Sequence, residues 1–161
     1  MKIEVGQVAP DFTLFNTEKK EVHLKDQKGS EVLLLFFPLA FTSVCTTELC
    51  AVQDSIKEYE DLDIKVFGIS VDSLYTLAVY KEQQKLSFNL LSDFNKEVSS
   101  KYGSLYPQFG YGMKGVSKRS AFLINNDGIV EYAEVLEDAG KIPDFEAVKR
   151  VVTSKKQGCL P

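Results

Sequence analysis

The sequence predicts an α/β fold with a mixed central sheet, flanking helices and a β-hairpin at the N-terminus. A continuous apolar run of strand length at positions 32–37 and a second, largely apolar segment at 64–71 suit strands that are covered on both faces. Segments with apolar residues at helical spacing follow each of these runs. Strands that alternate with helices in this way form layered α/β domains.

The first third of the chain predicts a hairpin, a buried strand and a long helix. Apolar and polar residues alternate on both sides of a charged turn within positions 11–25, which is typical of a hairpin. The first long apolar run ends at Pro38, which lacks the N–H that a central strand donates. From about Ser43 to Tyr59 the apolar residues follow a helical period, and the hydroxyl of Thr42 or Ser43 suits an N-cap.

The rest of the chain predicts the second half of the sheet and its helices. In chain order these elements are a strand at 64–71, a helix from Ser73 to about Gln84, a strand at 88–92, a short helix at 96–102, a loop at 104–115, paired strands at 120–125 and 129–134, and a helix at 144–153. Asp127-Gly128 marks the tight turn of the last hairpin, because these residues tolerate positive φ. The whole order resembles the thioredoxin fold.

Composition and charge limit the classes of function. The 161 residues carry a formal net charge of -4 and are enough for one domain, which we expect over positions 1–161. The acidic balance predicts no nucleic-acid partner, and the lack of a long apolar run predicts no membrane partner. No signal segment is evident after Met1, and three cysteines are an odd number, unlike a secreted disulfide framework. We therefore expect a cytoplasmic protein.

Two of the three cysteines, Cys45 and Cys50, lie where the buried strand passes into the helix. Cys45 is expected in the first helical turn, where unpaired amides and the positive end of the helix dipole favour an anion. The thiolate is the nucleophilic form of cysteine, so this placement favours a reactive thiol, although a small buried side chain is the alternative. Thr42 is close enough to offer its hydroxyl, and Pro38 can shield the sulfur from water.

The pattern Pro38-x-x-x-Thr42-x-x-Cys45 matches the signature of the peroxiredoxins, which are thiol peroxidases of the thioredoxin fold. The resemblance extends over nearly the whole chain. Its other parts are the strings at positions 8–14, 34–54, 67–72, 91–93 and 118–124. The resemblance implies no metal and no cofactor, because electrons would arrive by thiol–disulfide exchange.

The resemblance implies a role for each matching residue. Cys45 would be oxidised to a sulfenic acid by hydrogen peroxide or an organic hydroperoxide, with Thr42 hydrogen-bonding the peroxide and the sulfur and Pro38 limiting solvent access. Arg119, just before a predicted strand, would bring its guanidinium beside the sulfur, where the charge stabilises a thiolate and orients peroxide oxygens. Glu48 would orient an arginine, or would serve only as an acidic partner of the first turn.

The spacing of Cys45 and Cys50 resembles the bacterioferritin-comigratory-protein (PrxQ-like) peroxiredoxins, which form an internal disulfide. The string at positions 37–42 and the chain length resemble alkyl hydroperoxide reductase E-like proteins. The resemblance implies that Cys50 resolves the sulfenic acid and that a thioredoxin or glutaredoxin-like protein reduces the disulfide. The two Cα atoms are about 8–9 Å apart in an intact helix, and a disulfide needs less than about 7 Å. The helix must therefore unwind locally. Resolution by Cys159 and a one-cysteine cycle are the alternatives.

Two other functions use a thiol at this position. A thioredoxin-type disulfide reductase is disfavoured, because such proteins carry Cys-x-x-Cys where this chain has Cys45-Thr-Thr-Glu48. A non-enzymatic redox sensor or holdase stays open, and peroxide turnover with a thiol donor would separate it from a peroxidase.

His23 is expected on a surface strand, and the glycine-rich string at 110–115 predicts a loop, because it precedes a strand instead of opening a helix. The expected assembly is a monomer or a homodimer.

Overall fold

The computed structural model describes residues 2–158, with side chains as far as Lys155. The strands are β1 (Thr13–Asn16), β2 (Glu21–His23), β3 (Glu31–Phe36), β4 (Ile64–Ser70), β5 (Asn89–Ser92), β6 (Leu105–Tyr106), β7 (Val116–Ser117), β8 (Ser120–Ile124) and β9 (Val130–Val135). The helices are α1 (Ser43–Asp54), α2 (Ile56–Asp61), α3 (Leu74–Gln84), α4 (Glu97–Lys101) and α5 (Phe145–Gly158). The strands and helices expected from the sequence are present in the expected order, with β6, β7 and the division between α1 and α2 as additions.

A mixed sheet forms the centre of the described chain. Its strand order is β2-β1-β5-β4-β3-β8-β9. Strands β3, β4 and β5 are parallel, whereas β1, β8 and β9 pair antiparallel to their neighbours. The N-terminal hairpin of β1 and β2 extends one edge of the sheet. The mixed sheet predicted from the sequence is therefore present.

Successive residues of β3 point to opposite faces of the sheet, and both faces are buried. Leu33, Leu35 and Phe37 belong to one apolar cluster, which also takes residues from α1, α2, α3 and α5. Leu34 and Phe36 belong to the other cluster, which is covered by α4 and by the first residues of the chain. Burial on both faces explains why the sequence of β3 is continuously apolar instead of alternating.

The helix predicted from Ser43 to Tyr59 is divided in two at Ser55. The backbone of Ser55 leaves helical geometry (φ −102°, ψ 10°), although its N–H still reaches the carbonyls of Ala51 and Val52. Asp54 and Ser55 are weak helix formers, because their side chains compete for nearby backbone groups. The apolar period continues across the break, so the sequence pattern alone did not reveal it.

Two further segments differ from the sequence prediction. The region 104–115, predicted as a loop, contains β6, which pairs with β7. Each of these strands has two residues, which is too short to show a period. Helix α5 continues beyond the predicted end at position 153, because the ammonium of Lys155 bonds the carboxylates of Glu31 and Glu131. Within residues 2–158, no helix has the length and apolar character that a membrane span needs.

Candidate active site

The end of β3, the end of β4 and the start of β8 meet at one edge of the sheet. Phe36 closes β3 and pairs with Ser120, the first residue of β8. The same Phe36 lies opposite Ile69 of the parallel strand β4. The chain leaves this edge through a short loop and enters α1. The register therefore places Arg119, just before β8, next to Cys45 in the first turn of α1.

The Arg119 guanidinium is held by three hydrogen bonds. Its Nη2 donates to the Sγ of Cys45 at 3.2 Å, and its Nη1 donates to Oε1 of Glu48 at 2.6 Å. Its Nε donates to the carbonyl of Ala139 at 3.0 Å. Only 2% of Arg119 and 1% of Cys45 are exposed to solvent. A fixed cation at hydrogen-bond distance in a site closed to water stabilises negative charge on the sulfur.

Glu48 lies one turn after Cys45 and is completely buried. Burial raises the pKa of its carboxyl to about 7, and the nearby charge of Arg119 only partly opposes this. Its second oxygen, Oε2, has no hydrogen-bond partner within the described part of the chain. One guanidinium thus faces two acidic groups, the Cys45 thiol and the Glu48 carboxyl. The ion pair with Glu48 fixes the arginine, as the resemblance implied for one of the two readings of this residue.

Thr42 occupies the N-cap position of α1, with extended backbone geometry (φ −96°, ψ 152°), but its side chain does not cap the helix. The hydroxyl donates to the carbonyl of Leu39 at 2.8 Å. The predicted N-cap position is therefore confirmed at Thr42, but the predicted hydroxyl cap is wrong, because the hydroxyl is turned towards the preceding loop. The first-turn amides lack a capping acceptor from Thr42, and the Thr42 oxygen can still accept a hydrogen bond from a ligand. No hydrogen bond joins Thr42 to Cys45 among the described contacts.

Asp72, which follows β4, anchors the loop between β3 and α1. Its Oδ2 accepts hydrogen bonds from the amide of Ala40 at 2.8 Å and from the hydroxyl of Ser70 at 2.7 Å. Pro38 is buried at the start of this loop. Phe41 is half-exposed and has a positive φ of 66°, which is uncommon for a residue with a side chain. The anchored loop therefore holds a strained conformation beside Cys45.

Cys50 lies on α1, half-buried, and its Sγ donates to Oε1 of Gln84 on α3 at 3.6 Å. Cys45 and Cys50 are both free thiols, and both belong to the same uninterrupted helix. The expected need for local unwinding before they can form a disulfide applies to this structure. Cys159, the alternative partner, lies outside the described residues.

Sequence reasoning missed the parts of the site that no local pattern marks. Asp72 belongs to a string that carried the resemblance, yet we had given it no role. Its signal is its place after β4, because the carboxyl ends of parallel strands meet at one edge of a sheet. The carbonyl of Ala139 had no signal, because any residue supplies a backbone carbonyl. His23 received the expected place on a strand, where its ring bonds the hydroxyl of Thr13.

The sequence and the fold of this chain are similar to those of known proteins. Residues 5–133 match the AhpC/TSA family. The chain is 39% identical over 130 residues to a putative peroxiredoxin bcp of Haemophilus influenzae, covering 80% of this chain and 83% of that protein. It is 37% identical over 145 residues to alkyl hydroperoxide reductase E of Mycobacterium bovis, covering 88% of this chain and 91% of that protein. Among solved structures, peroxidoxin BcpB from Mycobacterium tuberculosis superposes with a TM-score of 0.82 at 25% identity, covering 94% of this chain and 97% of that one.

Proposed function

Because the chain belongs to the AhpC/TSA family of peroxiredoxins, we propose that this thiol peroxidase reduces hydroperoxides with Cys45 as its reacting sulfur. The contact between Arg119 and Cys45 carries the proposal. A buried arginine that donates to a cysteine sulfur stabilises the nucleophile before the reaction and the developing charge during it.

The reaction at Cys45 exchanges one bond for another. The thiolate attacks the terminal oxygen of the hydroperoxide, so that an S–O bond forms while the O–O bond breaks. The sulfur becomes a sulfenic acid, and the leaving alkoxide takes up a proton to give an alcohol, or water from hydrogen peroxide. Arg119 stabilises the charge on both sides of this transfer. Thr42 accepts a hydrogen bond from the peroxide, while buried Pro38 excludes water.

Cys50 completes the cycle in our proposal. Its thiol attacks the sulfenic acid of Cys45, a disulfide forms and water leaves. A thioredoxin or glutaredoxin-like dithiol then reduces this disulfide by exchange. The position of Cys50 on the same helix supports this step, since unwinding the helix start brings the two sulfurs together without movement of the sheet. A Cys159 link or a one-cysteine cycle would be the outcome if Cys50 takes no part.

The surroundings of α1 support a substrate larger than hydrogen peroxide. A shallow surface groove of about 600 Å³ lies beside the first two turns of the helix, lined by Val44 and Ile142 together with Ser43, Thr47, Gly140 and Lys141. The two apolar side chains suit the organic part of a hydroperoxide. Recycling by a dithiol needs a reducing compartment, so we propose that the protein acts in the cytoplasm. We propose that it acts as a monomer or a homodimer.

The test combines peroxide consumption with mass mapping. With a thiol donor present, the wild type should turn over peroxide and Cys45→Ser should consume none, because serine lacks the nucleophilic sulfur. Retained activity in Cys45→Ser would exclude the proposal. After one equivalent of peroxide, the wild type should lose two hydrogens and yield a peptide that links Cys45 to Cys50. The control variant Cys50→Ser should gain one oxygen instead, since it can be oxidised but not resolved internally.

A further inference from the structure

Three polar contacts connect helix α1 with α3 and with Ser87, which lies just after α3. Each contact joins residues that are 34 positions apart, so the two helices run in the same direction. These contacts join Thr46 to Tyr80 at 2.9 Å, Cys50 to Gln84 at 3.6 Å, and Gln53 to Ser87 at 2.8 Å. The first two lie in the part of α1 that must unwind before Cys45 reaches Cys50. The third lies beyond that part. The contacts therefore divide α1 into an N-terminal segment that unwinds and a C-terminal segment that remains helical.

Tyr80 is the strongest of these attachments. Its side chain is completely buried, and its hydroxyl bonds the hydroxyl of Thr46, the residue directly after Cys45. Burial raises the pKa of Tyr80 to about 12, so the hydroxyl keeps its proton at neutral pH. Among the described residues, the Tyr80 hydroxyl has no other hydrogen-bond partner. Unwinding the first turn of α1 removes this partner from a buried polar group, which opposes the opening.

Other contacts position Tyr80 for this task. Its ring packs against the rings of Phe37 and Phe41, with centroid distances of 6.4 Å and 5.0 Å. Tyr80 therefore contacts the active-site loop on both sides of Pro38. Gln84 lies one turn further along α3 and accepts the hydrogen bond from Cys50. Thus Cys50, the thiol that is proposed to resolve the sulfenic acid, is hydrogen-bonded to α3 as long as α1 stays wound.

We infer that Tyr80, assisted by Gln84, holds the first half of α1 wound and so sets how often oxidised Cys45 forms a disulfide instead of taking a second oxygen. The inference rests on the proposed function. A sulfenic acid that stays in the wound helix meets further peroxide and is oxidised to a sulfinic acid, with reduction of that peroxide to an alcohol or water. One that reaches Cys50 loses water and is protected as a disulfide. Tyr80 is a positioning residue, because it acts through the helix and not on the substrate.

The test uses Tyr80→Phe, which removes one hydroxyl and leaves the packing of the ring. Losing one hydrogen bond should shift the opening of the helix start by about two- to tenfold. In the reduced protein, hydrogen exchange at the amides of residues 46–50 should therefore quicken by that factor. Exchange at the amides of Glu58 and Tyr59 should not change, because both bond the carbonyl of Ser55, which lies beyond the segment that opens. Tyr75→Phe is the matched control, because Tyr75 lies on the same helix and is exposed.

The chemical readout follows each oxidation step separately in rapidly quenched samples. In Tyr80→Phe the first oxidation of Cys45 should keep its wild-type rate, whereas disulfide formation should quicken about two- to tenfold and sulfinic acid should fall in proportion. Thr46→Val removes the same bond from the other side and should reproduce the effect. Combining Thr46→Val with Tyr80→Phe should add nothing further, because both changes delete one contact.

Each outcome decides the inference. Unchanged exchange at 46–50 overturns it, and so does faster exchange without faster disulfide formation. A wild type that consumes peroxide but never links Cys45 to Cys50 also overturns it, while the proposed peroxidase function stands. A wild type that consumes no peroxide overturns the proposed function instead, which separates the two failures.

Discussion

Replacing Arg119 by lysine tests the electrostatic basis of the site while keeping its positive charge. Arginine holds the sulfur of Cys45 through one of three directed hydrogen bonds, at 3.2 Å. A lysine ammonium carries its three donors on one nitrogen, so it does not match the spread fork with which three nitrogens of arginine bond the sulfur, Glu48 and the Ala139 carbonyl. Loss of one charge-assisted hydrogen bond costs about 1.5–3 kcal/mol. The first oxidation of the sulfur by peroxide should therefore slow by about 10- to 150-fold in Arg119→Lys, since each 1.4 kcal/mol is tenfold.

Rapid-quench alkylation with intact-mass detection measures this rate directly, because the chain has no tryptophan to report it. Arg150→Lys is the matched control. Arg150 is an exposed arginine whose ion pair with Asp144 is at the surface, so its replacement should leave the oxidation rate unchanged. Circular dichroism should show the same folded signal for both variants. An oxidation rate in Arg119→Lys within twofold of the wild type would refute the role given to the guanidinium.

Three other changes test the surroundings of the site. Burial raises the pKa of Glu48 to about 7 from 4.5, so the folded protein keeps a proton that the unfolded chain releases between these values. Wild-type stability should thus fall by roughly 2–3 kcal/mol relative to Glu48→Gln as the pH rises from about 5 to about 8; a constant difference in urea melts would contradict this. Asp72→Asn weakens a charge-assisted anchor of the active-site loop, and hydrogen exchange at the Ala40 amide should quicken by about fivefold; equal exchange would show that the anchor is dispensable. Gly68→Ala puts a Cβ 2.6 Å from Leu90, and overpacking should cost about 1–3 kcal/mol in thermal melts, whereas Gly110→Ala meets no atom and should be neutral.

The thioredoxin-like α/β fold could be predicted because its strands and helices carry strong local patterns. The continuous apolar run of β3 and the capped start of α3 needed no distant information, and the hydroxyl of Ser73 does accept from the amide of Thr76. Cys45 could be placed in the first turn of α1 for the same reason. The break at Ser55 escaped because the apolar period continues across it, whereas the short strands β6 and β7 escaped because tertiary contacts fix them. One such contact is the buried hydroxyl pair of Ser99 and Ser117.

The contacts of the site depend on residues far apart in the chain, and spacing cannot reveal them. Arg119 is 74 positions from Cys45, and only the resemblance to a family pointed to it. Glu48 had two readings from sequence, since a carboxylate near a helix start suits the dipole as well as an arginine. Its full burial and its contact with Arg119 had no signal in the sequence pattern. Tyr80 had no expected role at all, because its partner Thr46 lies on a different helix.

The pairing of Phe36 with Ser120 has a consequence for how this scaffold tolerates change in length. Arg119 shares its face of the sheet with Ala121 and Leu123, on the side where α1 packs. Deleting Ala121 would draw the arginine into the position opposite Phe36 and turn its side chain to the other face, away from the sulfur. Added residues in the segment between β6 and β7 leave that register intact. Homologues and engineered variants should therefore vary freely in length there, whereas β8 should accept substitutions but no insertion or deletion.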